Sequence, residues 1–239
     1  MATANGYKGT PSALTALSLM KAAPKIMPAI KQIGIVLAGG RSLRMGRDKA
    51  TLCINGLTLL ERSRLMLHTL GCDRVLMSGA DRSDWLEGPQ SIVHDNTPGL
   101  GPVSGLVSAI HWASTQTTES VTLIFIPIDT PLLSKEILQH LIHQSQGFDG
   151  SYVSGSPLPL VLNLTRTTCD QARRASPDLA LAQAWSIKRF IQPLCMNIIC
   201  PDAGSLRDLT NVNTPEQWES IIHEITPGNR THPLPNFPI

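Results

Sequence analysis

Four residues in this chain have the types and placement for phosphate chemistry: Arg44, Lys49, Asp95 and Asp129. Arg44 and Lys49 sit in LAGGRSLRMGRDKA (residues 37–50), which holds three glycines, three arginines and one lysine directly after the apolar run Ile33-Gly34-Ile35-Val36. Glycines let a backbone approach a ligand and aim its N–H groups at phosphate oxygens. Arg41, Arg44, Arg47 and Lys49 carry enough charge to neutralise a triphosphate. Arginine offers a fork to two oxygens, and lysine acts as a point charge. The spacing is neither of the two common phosphate motifs. Walker A needs G-x-x-x-x-G-K-[ST], whereas Gly39 and Gly40 are adjacent here, Gly46 follows six after Gly40 and Lys49 three later; the dinucleotide pattern G-x-G-x-x-G is also absent. A solvated basic turn is the plainer reading of the same residues.

Asp129 closes the run VTLIFIPI (residues 121–128). Facing a basic phosphate loop, such a carboxylate can hold Mg²⁺ against phosphate oxygens. It can equally cap the turn before Ser134. Asp95 has two readings of equal weight, a contact to ribose or base and an Asx-turn with Asn96 and Pro98. The seven histidines have no metal-ligand spacing with cysteine, and no Gly-x-Ser-x-Gly elbow occurs. With no evident nucleophile on the protein, the chemistry left is direct in-line attack on a phosphate, driven by positioning and electrostatics.

The elements that must position these residues alternate along the chain. Residues 32–37, 74–77, 91–94 and 121–128 read as strands, the last buried on both faces because it is almost wholly apolar. Thr58 and Glu61 form a capping-box pattern opening a helix to about residue 70. Residues 101–114 read as a helix, and residues 134–144 as another with Ile137, Leu138, Leu141 and Ile142 on its buried stripe. The opening GLGPVSG (residues 99–105) places helix N–H groups near any anion. Further strands are expected at 152–153, 160–164 and 196–200. A helix over 215–225 starts with Thr214 as N-cap, Pro215 at its first position and Gln217 closing the box. This alternation predicts an α/β fold with one open, mostly parallel sheet, helices on both faces and right-handed crossovers. Ligands in such sheets bind beyond the carboxyl ends of the strands, so the basic loop, Asp95 and Asp129 should share one crevice.

Composition sets the outer limits. The 239 residues are 42% hydrophobic and 16% charged with a net charge of +2, an ordinary globular balance that gives no broad basic face for nucleic acid. No apolar run reaches the roughly 20 residues of a membrane span. The five cysteines are odd in number and contain no Cys-x-x-Cys, which disfavours a disulfide framework or zinc site and predicts buried, reduced thiols in a cytoplasmic protein. Residues 1–31 contain Lys8, Lys21, Lys25 and Lys31 and no acid, and read as a loose extension. Residues 226–239 hold four prolines and read as a loose tail, which leaves 32–225 as the folded domain.

Leu37 to Lys49 resembles the signature loop of the nucleotidyltransferases that act on molybdenum cofactor. Three more stretches agree: GPVSG (101–105), PIDTP (127–131) and NVNTPE (211–216). The loop alone resembles a wide superfamily that includes sugar-nucleotide and cytidylyl transferases. NVNTPE narrows the resemblance to the molybdenum cofactor guanylyltransferase (MobA) family. The resemblance implies a Rossmann-like fold of nucleotidyltransferase type and a Mg²⁺-dependent reaction of GTP with molybdenum-molybdopterin. The products would be the guanine dinucleotide cofactor and pyrophosphate. It further implies that Leu37, Ala38 and Gly39 bind guanine and the nucleotide backbone, that Lys49 contacts phosphates, and that Arg44 stabilises the leaving pyrophosphate. Asp95 would bind nucleotide, Asp129 nucleotide and Mg²⁺, and Asn211 and Asn213 would lie on the pterin side; as plain residues, both asparagines could also satisfy loop backbone. Ser78 stands where many relatives carry an asparagine that touches the nucleotide, and GSPLPL (residues 155–160) stands where relatives often show a His-Pro pair before a strand. Two alternatives stay open: a cytidylyltransferase acting on molybdopterin or another phosphorylated acceptor, and a non-catalytic carrier of molybdenum cofactor. Molybdoenzymes or their chaperones would be downstream partners.

Overall fold

The computed structural model describes residues 31–39, 48–79, 92–94, 101–116, 120–180 and 185–225. The expected extension, apart from Lys31, and the expected tail lie outside these residues, as do Arg44 and Asp95.

Nine strands are described: β1 (Gln32–Leu37), β2 (Cys53–Ile54), β3 (Leu57–Thr58), β4 (Arg74–Gly79), β5 (Ile92–His94), β6 (Thr122–Pro127), β7 (Gly150–Val153), β8 (Ser156–Asn163) and β9 (Met196–Ile199). Seven of them form one sheet in the order β5-β4-β1-β6-β8-β7-β9. β1 lies at its heart, parallel to β4 on one side and to β6 on the other. β8 runs against both of its neighbours, β6 and β7. It is reversed because Ser154-Gly155 joins β7 to β8 as a tight hairpin, with Gly155 at φ +84°. The sheet is therefore open and mostly parallel, as the sequence predicts, with one antiparallel strand inserted. β2 and β3 make a separate small hairpin about Asn55-Gly56, both at positive φ. Asn-Gly is the strongest short hairpin signal, and it is present in the sequence.

Seven α-helices are described: α1 (Leu59–Leu70), α2 (Pro102–Gln116), α3 (Lys135–Gln144), α4 (Arg166–Ala180), α5 (Ile187–Ile191), α6 (Ala203–Asp208) and α7 (Pro215–Ile225). Strand alternation splits the core in two. Ile33, Ile35 and Leu37 of β1, with Leu123 and Phe125 of β6, pack on α2, α4 and α5. Val36 of β1 with Ile124 and Ile126 of β6 face α1, α3 and α7, which contribute Leu67, Leu138 and Trp218 among others. Gly34 makes room for the second layer: a Cβ there would sit 2.8 Å from Leu67 Cδ1.

The predicted capping box of α1 forms. Thr58 Oγ1 accepts from the Glu61 backbone N–H at 3.1 Å, and Glu61 Oε2 accepts from the Thr58 backbone N–H at 2.7 Å. α1 ends at Gly71 in the left-handed region, φ +97°. Ser134 caps α3, its hydroxyl accepting from the Ile137 N–H at 3.4 Å. Asp73 fastens the start of β1: one of its carboxylate oxygens accepts from the backbone N–H groups of Lys31 at 2.8 Å and Gln32 at 2.9 Å.

The expectation of buried thiols holds for Cys72 alone. Cys169 is half-buried, and Cys53, Cys195 and Cys200 are exposed. The last two flank β9, an end strand of the sheet, and Cys53 opens the small hairpin, so none of the three is covered by a core layer. All five are free. Among the described residues no helix is long and apolar enough to cross a membrane.

Candidate active site

The carboxyl end of β1 is gripped from both sides. Ala38 N–H donates to Ser78 O at 2.9 Å, and Ile128 N–H donates to Leu37 O at 3.3 Å. Leu37, Ala38 and Gly39 are thereby set at the sheet's edge of chemistry, where the topology rule places ligands. Gly79 is part of the same construction. It sits at φ +146°, and a Cβ would lie 2.7 Å from Gly39 N. Only glycine lets the two backbones pass this closely. Ser78, at the same strand end, is buried, and its backbone carbonyl is the group that holds Ala38.

Lys49 begins one turn of 3-10 helix, Lys49–Thr51, capped by Asp48, whose Oδ1 accepts from Ala50 N–H at 3.1 Å. From there its ammonium reaches across the cleft. Nζ donates to Asn213 Oδ1 at 2.7 Å and to Asp129 Oδ2 at 3.1 Å. Only 14% of the Lys49 side chain and 23% of the Asp129 side chain meet solvent. Partial withdrawal from water strengthens such a pair relative to one on the open surface.

Asp129 lies just past β6, on a turn closed by Thr130 Oγ1 donating to Pro127 O at 3.1 Å. Because Ser134 caps α3, Asp129 is free of the capping role that a strand-end aspartate could have served. Its backbone carbonyl accepts from Val212 N–H at 2.8 Å. The 211–213 loop is tied at its other end by the start of α7. Gln217 Oε1 accepts from Asn213 N–H at 2.7 Å and from Thr214 N–H at 3.2 Å. Thr214 Oγ1 accepts in turn from Gln217 N–H at 3.3 Å, which completes the predicted box.

These groups border one cleft of about 390 Å³. Leu37, Ala38, Gly39, Lys49 and Asp129 line one part, with Asn211 and Asn213 beside them. Pro102, from the GPVSG stretch, joins them at the start of α2. Sequence reasoning did not assign Asp48 to the site, although its place one residue before Lys49 was a usable signal. Ser156, Pro157 and Leu158 form a further wall. The absence of a His-Pro pair in residues 155–160 is the sequence feature that singled out this stretch.

The donor set bears on the metal. Among the described residues no group of three His, Cys, Asp or Glu could hold an ion alone. Two carboxylates, Asp48 and Asp129, line the cleft, with no His or Cys beside them among the described residues, which does not suit zinc. Such a set suits Mg²⁺, which keeps several waters and takes phosphate oxygens with one or two carboxylates.

A family model for the MobA-like NTP transferase domain matches residues 34–197. The chain is 36% identical over 195 residues to the molybdenum cofactor guanylyltransferase of Xanthomonas euvesicatoria pv. vesicatoria, covering 80% of this chain and 94% of that protein. It is 33% identical over 200 residues to a probable molybdenum cofactor guanylyltransferase of Chloroflexus aggregans, covering 79% and 92%. The fold is shared with the crystal structure of molybdopterin-guanine dinucleotide biosynthesis protein A from Archaeoglobus fulgidus, at a TM-score of 0.62 and 20% identity over 81% of this chain and 97% of that one. The loop that leaves β1, the carboxylate that ends β6 and these likenesses agree: the chain belongs to the MobA-like NTP transferase family.

Proposed function

We propose that the protein transfers GMP from GTP to molybdenum-molybdopterin, giving molybdopterin guanine dinucleotide and pyrophosphate. The observation that carries this reading is the meeting of Lys49, Asp129 and Asn213. It joins the basic loop after β1 to the Asn-Val-Asn loop before α7 in one cleft. The guanylyltransferase names of relatives at 36% and 33% identity support guanine over other bases.

In this reading the terminal phosphate oxygen of molybdopterin attacks the α-phosphorus of GTP. A new P–O bond forms there, the α–β phosphoanhydride bond breaks, and pyrophosphate departs with the electron pair. Leu37, Ala38 and Gly39 receive the base and nucleotide backbone. Lys49 offsets phosphate charge, and Arg44 stabilises the leaving pyrophosphate. Asp95 holds the nucleotide, and Asn211 borders the acceptor. Mg²⁺ would be held by Asp129, where it would draw negative charge from the phosphate oxygens. No side chain forms a covalent intermediate; the protein works by placing two phosphates in line and screening their repulsion. Molybdoenzymes or their chaperones would receive the product.

The test is pyrophosphate release with molybdenum-molybdopterin and each nucleoside triphosphate in turn. Turnover with GTP and little with CTP is expected. Turnover with CTP alone would replace this reading by cytidylyl transfer, and binding of cofactor without turnover on any nucleotide would leave a carrier.

A further inference from the structure

We infer that Asn213 acts on the nucleotide side of the site, as the residue that positions Lys49, and not as a ligand of the acceptor. The inference rests on the nucleotidyl-transfer reading above and changes the role of one residue within it. Asn213 Oδ1 is the shorter of the two acceptors of the Lys49 ammonium, 2.7 Å against 3.1 Å for Asp129. The two acceptors differ in kind. Asp129 offsets the lysine's charge, whereas a neutral amide oxygen aims the ammonium and leaves its charge whole. Lysine has three N–H donors. With two directed to Asn213 and Asp129, one is left for a phosphate oxygen. Asn213 can act as a fixed post because its own backbone is held. Its N–H donates to Gln217 Oε1, and the preceding residue, Val212, donates to Asp129 O. Asn211, two residues earlier, is exposed and lines the cleft without bonding Lys49.

The experiment uses the full chain in two measurements. In the first, GTP binding is followed by calorimetry without molybdopterin, once with EDTA and once with Mg²⁺, for wild type, Asn213→Ala, Lys49→Ala and the double variant. Asn213→Ala should weaken GTP about tenfold in both conditions, the scale of a hydrogen bond to a charged group. In the Lys49→Ala background it should add almost nothing. In the second, the ligand-free protein is treated with acetic anhydride and the acylation rate of Lys49 is read by mass spectrometry against that of exposed Lys188. Asn213→Ala should raise the relative rate of Lys49 several-fold. Unchanged GTP affinity, a loss that adds fully to Lys49→Ala, a loss seen only with Mg²⁺, or an unchanged Lys49 acylation rate would each overturn the inference. If wild type binds no nucleotide, the reading of function falls, and the acylation rates still decide the placement of Asn213. Thermal melting of Asn213→Ala checks that the fold persists; its backbone bond to Gln217 does not depend on the side chain.

Discussion

Lys49 and Asp129 form a partly buried pair in which each is needed to tolerate the other. Removing the carboxylate leaves an ammonium with only a neutral partner. Asp129→Ala should lower turnover at least ~10²-fold, as loss of a strong electrostatic stabiliser does, measured as pyrophosphate release at saturating GTP. A variant with full activity would exclude Asp129 from holding the metal. Lys49→Ala should weaken GTP binding in calorimetry as well as slow turnover, since it removes charge from the nucleotide in both ground and transition states. At this scale much of the site was legible. Lys49 and Asp129 stand at strand exits, and the rule for open sheets brings strand exits together. The bond from Lys49 to Asn213 was not legible, because it spans 164 residues and depends on where the 211–213 loop is pinned.

Among the elements, β4 has the most specific duty, because Ser78 holds the backbone that leaves β1 and Gly79 makes room for it. Gly79→Ala combines an unfavourable φ with a Cβ 2.7 Å from Gly39 N, so one of the two chains must move. GTP affinity should fall by roughly tenfold or more, a shift of about 1–3 kcal/mol for a strained backbone position, while far-UV circular dichroism stays native. β1 is fastened at its other end by Asp73. The carboxyl is held below its ordinary value of 3.8, chiefly by the Gln32 and then the Lys31 backbone N–H groups. A depressed carboxyl stabilises the fold fully above its unfolded value and loses that contribution as pH falls through the lower native one. Asp73→Asn should therefore cost stability at neutral pH, with the difference from wild type shrinking in acid below 3.8; urea midpoints at both pH values measure it. Elements with strong periodicity or good caps, such as β1, β6, α1, α3 and α7, were readable from sequence. α4 was not. It is polar and carries Pro177, it buries Thr168 and Gln171, and the apolar side chains it buries, Ala172 and Ala175, are small. The reversal of β8 hangs on a two-residue link, Ser154-Gly155, which a search for long crossovers passes over.

For the molecule as a whole, the two core layers decide which cysteines chemistry can reach. A thiol reagent should modify Cys53, Cys195 and Cys200 in the native protein, all of them exposed, and reach Cys72 only on unfolding. Burial, and then the charge of Asp73, pushes the Cys72 thiol up to about 12, which suppresses its thiolate as well as its access. Rapid native modification of Cys72 would show that the layer over it opens. The second layer presses on β1 at Gly34, where Leu67 fills the space of a side chain. Gly34→Ala should destabilise by about 1–3 kcal/mol through overpacking, read as a lower urea midpoint with unchanged slope. The pinning of the 211–213 loop has a last consequence, one of timing. All nine described strands are complete by Ile199, yet Asn211, Val212 and Asn213 come after it. A ribosome that has finished the sheet has not finished the cleft: Lys49 lacks its nearer anchor and Asp129 its backbone tie until the final helix begins to emerge. A message cut short between residues 200 and 210 would encode every described strand and an incomplete place for the reaction.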